Sequence, residues 1–149
     1  MHNPSPATIL LIDDDKAVRK AVRDMYEEYG FTVLEAETPE AAKALYKENR
    51  HALSLIVTDN DSAGGQDKGL EFIRFVRGEE RQHGGARLPI ILLTGVGSGR
   101  IHELTVLMEE AGGEALIAKP SSSEQLYTTA KTLIEASRKS ENSVAPQRW

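Results

Sequence analysis

Four short apolar runs each stop at a polar residue, and segments of helical periodicity separate them along the chain. The runs are Thr8-Ile9-Leu10-Leu11-Ile12, Leu53 to Val57, Pro89-Ile90-Ile91-Leu92-Leu93 and Ala115-Leu116-Ile117-Ala118. Their length and branched-aliphatic content suit strands buried on both faces. Phe31 to Glu35 alternates instead, as an edge strand does. Five strands alternating with five helices predict an α/β fold, a doubly wound five-stranded parallel sheet covered by helices on both sides. Right-handed crossovers favour the strand order 2-1-3-4-5 of the flavodoxin-like class.

The helices carry their own start and stop signals. Asp15 caps a helix with Val18, Ala21, Val22, Met25 and Tyr29 on its apolar stripe, and Gly30 ends it. Thr38-Pro39-Glu40 opens a second helix running to about Asn49. Asn60 to Gly69 reads as a loop, and Leu70, Phe72, Ile73 and Val76 mark the third helix. Gly95, Gly97 and Gly99 form a flexible link into a fourth helix with Ile101, Leu104, Thr105 and Met108, which Gly112 closes. Ser122 and Gln125 have capping-box spacing before Leu126, Ala130, Leu133 and Ile134. The resulting division is an N-terminal lead over 1–6, one domain over 7–138 and a polar, frayed tail over 139–149.

A net charge of -5 gives no electrostatic footprint for nucleic acid or anionic membrane. The absence of cysteine excludes disulfides, thiol catalysis and thiolate metal sites, so a metal would take oxygen or imidazole ligands. No signal peptide and no spanning stretch is visible, and a cytoplasmic location is expected. His2, His51, His83 and His102 lack metal-type spacing and read as solvated residues. The glycines at 95, 97 and 99 lack the Lys-Ser/Thr of a nucleotide loop.

The strand ends carry the chemistry. In the expected order the first and third strands are neighbours about 4.8 Å apart, which sets Asp13 and Asp14 against Asp59. Two carboxylates about 5 Å apart repel by roughly 3 kcal/mol at an effective dielectric near 20. Such a cluster holds protons or a divalent cation, and Mg²⁺ suits a few carboxylates completed by water and phosphate. Capping or simple solvation is the alternative for any one Asp. Thr94 and Lys119, however, bring a hydroxyl and an ammonium to the same edge from the fourth and fifth strands.

The ordered set Asp13-Asp14, Asp59, Thr94 and Lys119-Pro120 resembles a response-regulator receiver domain, the phospho-acceptor module of two-component signalling, over Ala7 to Arg138. The resemblance implies that Asp59 accepts a phosphoryl group from a sensor histidine kinase or a histidine phosphotransfer protein. It also implies that Asp14, Asp59 and the Asp61 backbone carbonyl ligate Mg²⁺ or Mn²⁺, with Asp13 acting through water. Lys119 and Thr94 would hold phosphoryl oxygens, and the Lys119-Pro120 bond would be cis. Output would pass to a downstream effector protein, or to a homodimer formed through the last strand and its flanking helices. Val106, Leu107 and Tyr127 are candidate contacts there, with scattered surface apolars as the plain alternative.

This chain departs from the family pattern in places. Ser62-Ala63 stand where Met-Pro is usual, the following Gly arrives late at Gly69, and Leu116 replaces the switch aromatic. Ser121 follows the Pro where Phe is common. The Asp61 side chain either reaches the metal through water or points to solvent. These departures keep open a second reading, a receiver acting as a phosphorylation-independent interaction module. A third reading, a turnover enzyme, starts from the similarity of Asp59-Asn60-Asp61 to the paired aspartates of haloacid-dehalogenase-type phosphatases. That family places its other acids after the nucleophile, whereas here they precede it.

Overall fold

A computed structural model describes residues 7–60 and 67–144 of the chain. Strands β1 (Thr8–Ile12), β2 (Thr32–Ala36), β3 (Leu55–Asp59), β4 (Ile90–Thr94) and β5 (Ala115–Ala118) alternate with helices α1 (Lys16–Glu28), α2 (Pro39–Asn49), α3 (Lys68–His83), α4 (Ser98–Ala111) and α5 (Ser123–Val144). All strand pairs are parallel, in the order β2-β1-β3-β4-β5 that crossover handedness favoured.

Alternate strand residues feed two apolar layers. Leu10, Ile56, Ile90 and Leu92 pack with Tyr46, Phe72, Leu104 and Met108 under α2, α3 and α4. Ile9, Leu55, Val57, Ile91 and Leu93 pack on the other face with Val22, Met25, Leu126 and Ala130 of α1 and α5. Every residue of β3 and β4 is buried, as expected of central strands covered twice. The expected caps are formed. The Asp15 carboxylate accepts from the Ala17 and Val18 amides at 2.9 and 3.1 Å, the Thr38 hydroxyl from Ala41 and the Ser122 hydroxyl from Gln125.

Three expectations need correction. The last helix reaches Val144, into the stretch over 139–149 expected to be frayed, and stops just before the proline at Pro146. Gly99 lies inside α4, not in the link before it; the helix begins at Ser98. Tyr29 is the C-cap of α1 and is 48% exposed. Tyr26 takes the core position instead, and its hydroxyl donates to the Leu126 carbonyl at 3.1 Å. Residues 1–6, Asp61 to Gln66 and 145–149 lie outside the described residues, and with them the lead, most of the atypical loop and part of the tail. Among the described residues, no helix is long and apolar enough to cross a membrane.

Candidate functional site

The site forms where β1, β3, β4 and β5 end on the same edge of the sheet. Ile12 pairs with Thr58, Asp59 with Leu93 and Thr94 with Ala118, so the residues that follow or close each strand fall side by side. A cleft of about 510 Å³ opens there, lined by Asp13, Asp14, Asp59, Glu37, Thr38 and Lys68 among others.

Three carboxylates converge at this edge: each of Asp13, Asp14 and Asp59 offers an oxygen within 4.8 Å of the others. Asp14 is exposed, whereas Asp13 is only 1% exposed and Asp59 is 9% exposed. The Lys119 ammonium bridges the buried pair, 2.7 Å from Asp59 Oδ1 and 3.5 Å from Asp13 Oδ2. Asp13 Oδ1 accepts the Asp15 amide at 2.9 Å, whereas Oδ2 is buried and, among the described residues, meets only the long contact with Lys119. Burial is the main force raising the Asp13 carboxyl above its ordinary pKa. The Asp15 amide and Lys119 pull it back, and the Asp14 charge raises it further.

This donor set fits a hard divalent cation. It supplies carboxylate oxygens from three side chains close enough to share one ion, and Asp13 Oδ2 is buried with no nearer charge partner than Lys119 at 3.5 Å among the described residues. Mg²⁺ neutralises charge and draws in phosphate oxygens. Asp61, the expected source of a backbone carbonyl ligand, lies outside the described residues.

The Thr94 side chain is fully buried and accepts the Val96 amide at 3.1 Å, while its carbonyl accepts the Lys119 amide at 2.7 Å. The last two strand ends are thereby tied together, and the Lys119-Pro120 bond is cis, as the resemblance implied. Leu116 sits partly buried against the α2, α3 and α4 layer, where the family's switch aromatic would stand.

Two supporting residues were not read from the sequence as such. Asn60, taken there as loop, is 4% exposed: its side chain accepts the Leu70 amide and donates to Asp67, both at 3.1 Å. It fastens the chain after Asp59 to the start of α3. Gly69 was read only as a late glycine. A Cβ there would lie 2.9 Å from the Asp59 carbonyl oxygen, 2.9 Å from Asn60 Cα and 2.7 Å from Leu92 Cδ1. Only glycine lets α3 approach the backbone of Asp59 and Asn60 this closely. The usable signal was an amide side chain directly after a buried strand.

The comparisons agree with this geometry. The family model for the response regulator receiver domain matches residues 9–131. The response regulator MprA of Mycolicibacterium vanbaalenii is 30% identical over 135 residues, covering 87% of this chain and 51% of its own length. The phosphate regulon transcriptional regulatory protein PhoB of Pseudomonas aeruginosa is 29% identical over 129 residues, covering 85% and 51%. The chain thus spans about half the length of these curated relatives. In fold it is similar to a response regulator receiver domain protein from Clostridium thermocellum, with a TM-score of 0.74 and 22% identity over 89% of this chain and 97% of that one. It is likewise similar to the chemotaxis protein CheY4 of Vibrio cholerae, with a TM-score of 0.73 and 24% identity over 87% and 99%. The chain belongs to the response regulator receiver domain family, whose members are signalling modules with an acidic, Mg²⁺-binding pocket.

Proposed function

Taking that membership as premise, we propose that Asp59 accepts a phosphoryl group from a phosphohistidine donor, in a Mg²⁺-dependent step of a phosphorelay. The observation that carries this is the Lys119 ammonium 2.7 Å from Asp59 Oδ1, inside a cluster of three carboxylates at the strand ends. Phosphoryl transfer asks mainly for an aligned nucleophile and neutralised charge. An Asp59 oxygen attacks phosphorus as the phosphorus–nitrogen bond of the donor breaks. The imidazole leaves with the bonding pair. Asp13, Asp14 and Asp59 would hold Mg²⁺, which supplies charge neutralisation for the phosphoryl oxygens. Lys119 stabilises the charge that builds on those oxygens, and the Thr94 hydroxyl donates to another.

A groove of about 400 Å³ supports docking of the donor beside this site. It runs between α1 and the start of α5, lined by Val18, Ala21, Met25, Pro120 and Leu126, with Lys119 along it. A helical partner seated there brings its phosphohistidine next to the ammonium that holds Asp59. Val106, at 43% exposure on α4, remains a candidate for effector contact, whereas Leu107 packs partly into the core. Tyr127 stacks on Tyr29 with ring centroids 3.9 Å apart.

Acetyl phosphate with Mg²⁺ tests the proposal by intact mass. The wild type gains one phosphoryl group and Asp59→Asn gains none. Equal labelling of both proteins would refute Asp59 as acceptor. Leu116, partly buried where the family's switch aromatic would stand, favours the second reading, a module that signals without phosphorylation. Beryllofluoride separates the two, since that module shows no saturable response.

A further inference from the structure

The acid turn that supplies Asp13 and Asp14 is held from outside by a pair of residues that the mechanism above does not use. Arg19, one turn into α1, donates from Nη1 to the Asp13 backbone carbonyl at 2.8 Å and from Nε to Glu35 Oε1 at 3.2 Å. Its side chain is 14% exposed. Glu35, near the end of β2, also accepts Arg23 Nη1 at 2.7 Å through its other oxygen. The neighbouring Ala36 carbonyl accepts the Asp13 amide at 3.1 Å. Both polar groups of the Asp13 backbone are therefore anchored, the amide to β2 directly and the carbonyl to β2 through Arg19 and Glu35.

We propose that Arg19 and Glu35 act together as a positioning clamp that sets the peptide plane between Asp13 and Asp14 and so pre-aligns the two carboxylates for the divalent cation. The clamp rests on the reading of the acid cluster as a Mg²⁺ site. The Asp13 carbonyl lies on the peptide unit that leads into Asp14. Rotation of that unit would swing the exposed Asp14 carboxylate away from the buried Asp13 and Asp59. A guanidinium presents two donors in a rigid planar fork, one for the carbonyl and one for Glu35. A lysine ammonium is a single compact head on a flexible stem and does not reproduce the fork. Glu35 offsets the guanidinium charge beside the acids, so the clamp aligns them without competing strongly for the cation's place.

The alternatives differ in sign. If Arg19 acted only through its charge, removing it would tighten Mg²⁺ binding, because a nearby positive charge opposes a cation. If it only stapled α1 to β2, removing it would lower the melting temperature and leave Mg²⁺ affinity unchanged. The clamp requires weaker Mg²⁺ binding. Loss of such outer-shell support costs about tenfold in metal affinity.

The experiment titrates Mg²⁺ into wild type, Arg19→Ala, Arg19→Lys and Glu35→Gln. It follows the backbone amide shifts of residues 13–15 and Asn60, with melting temperature measured in parallel without metal. Both Arg19 variants should bind about tenfold more weakly, Arg19→Lys despite keeping its charge, and Glu35→Gln should fall between them and wild type. Unchanged or tighter binding by a folded Arg19→Lys overturns the clamp while leaving the metal site intact. Should Arg19→Ala fail to fold, Arg19→Lys and Glu35→Gln decide the matter alone. A wild type with no saturable Mg²⁺ response removes the metal site, and the clamp with it.

Discussion

Replacing Asp13 by Asn should stabilise the metal-free protein at neutral pH and abolish its response to Mg²⁺. At an effective dielectric near 20, an Asp59 charge within 4.8 Å repels Asp13 by about 3 kcal/mol or more, while Lys119 at 3.5 Å attracts it by about 5 kcal/mol. These terms offset each other to within about 2 kcal/mol, and the Asp14 charge adds further repulsion. What remains is the desolvation of Oδ2, buried without a donor, a penalty of about 1–3 kcal/mol. Asn keeps the acceptor for the Asp15 amide and puts an uncharged amide in place of the buried carboxylate oxygen, giving up the contact with Lys119. A net gain of about 1–2 kcal/mol follows, and each kcal/mol is worth roughly 2–4 °C in melting temperature for a chain of this size.

The pH dependence has a definite sign. The Asp13 carboxyl is raised above 3.8 in the folded state, so the native protein binds the extra proton. The wild-type penalty is therefore absent below pH 3.8 and grows as pH rises through the folded-state value. Urea denaturation in chelator should show Asp13→Asn ahead of wild type at pH 7, and the gap closing as pH falls toward 4. Saturating Mg²⁺ should reverse the order, since ligand at 100 times its dissociation constant adds about 2.7 kcal/mol to wild type alone. A variant less stable than wild type in chelator at pH 7 would refute this account of the buried acid.

Other perturbations have equally definite outcomes. Gly69→Ala forces a methyl against the Asp59 carbonyl and Leu92, and should cost about 1–3 kcal/mol in urea denaturation while slowing labelling by acetyl phosphate. Arg77, 4% exposed, donates to the Gly112 carbonyl and pairs with Glu80 and Glu114 at 2.9 and 3.0 Å. Arg77→Met leaves Glu114 with Arg87 and the Ile90 amide and Glu80 with the Leu88 amide, so it should cost about 1–3 kcal/mol, and a loss above that range would show that those remaining partners do not compensate. Lys119→Met should leave far-ultraviolet circular dichroism intact yet slow phosphoryl transfer by at least about a hundredfold, read as initial labelling rate; near wild-type rates would remove Lys119 from the chemistry.

The sheet was legible because its evidence is local. Branched-aliphatic runs such as Ile56-Val57 and Ile90-Ile91-Leu92-Leu93 announce doubly covered strands, and Asp15, Thr38 and Ser122 announce helix starts within a few residues of sequence. Handedness narrowed the strand orders to a few, and the flavodoxin-like class supplied the choice among them. Asp13, Asp14, Asp59, Thr94 and Lys119 were legible as a group once their strands shared an edge. Arg19 and Asn60 were not, because their roles depend on partners brought near only by the fold: the Asp13 carbonyl and Glu35 for one, the Leu70 amide for the other. Tyr29 was misplaced because the stripe it extends ends with α1, leaving its ring to stack on Tyr127 instead of entering the core.

The missed residues share a position in the energetics. Asp13 and Asp59 bring charge into a largely buried position at the edge of the core, and such charge is held most cheaply where the backbone around it is fixed. Asn60 fixes the chain after Asp59, Gly69 allows α3 to press against it, and the Thr94 carbonyl fixes Lys119 through its amide. Arg19 does the same for Asp13. Arg19 thus grips the Asp13 carbonyl and Asn60 ties the chain after Asp59 to α3, while Lys119 bridges the two carboxylates. That division leaves the carboxylate oxygens to exchange one charge partner for another without the turns moving. A Mg²⁺-bound structure should therefore retain the Arg19 and Asn60 hydrogen bonds while the contact between Lys119 and Asp13 lengthens, and loss of either backbone grip on metal binding would contradict it.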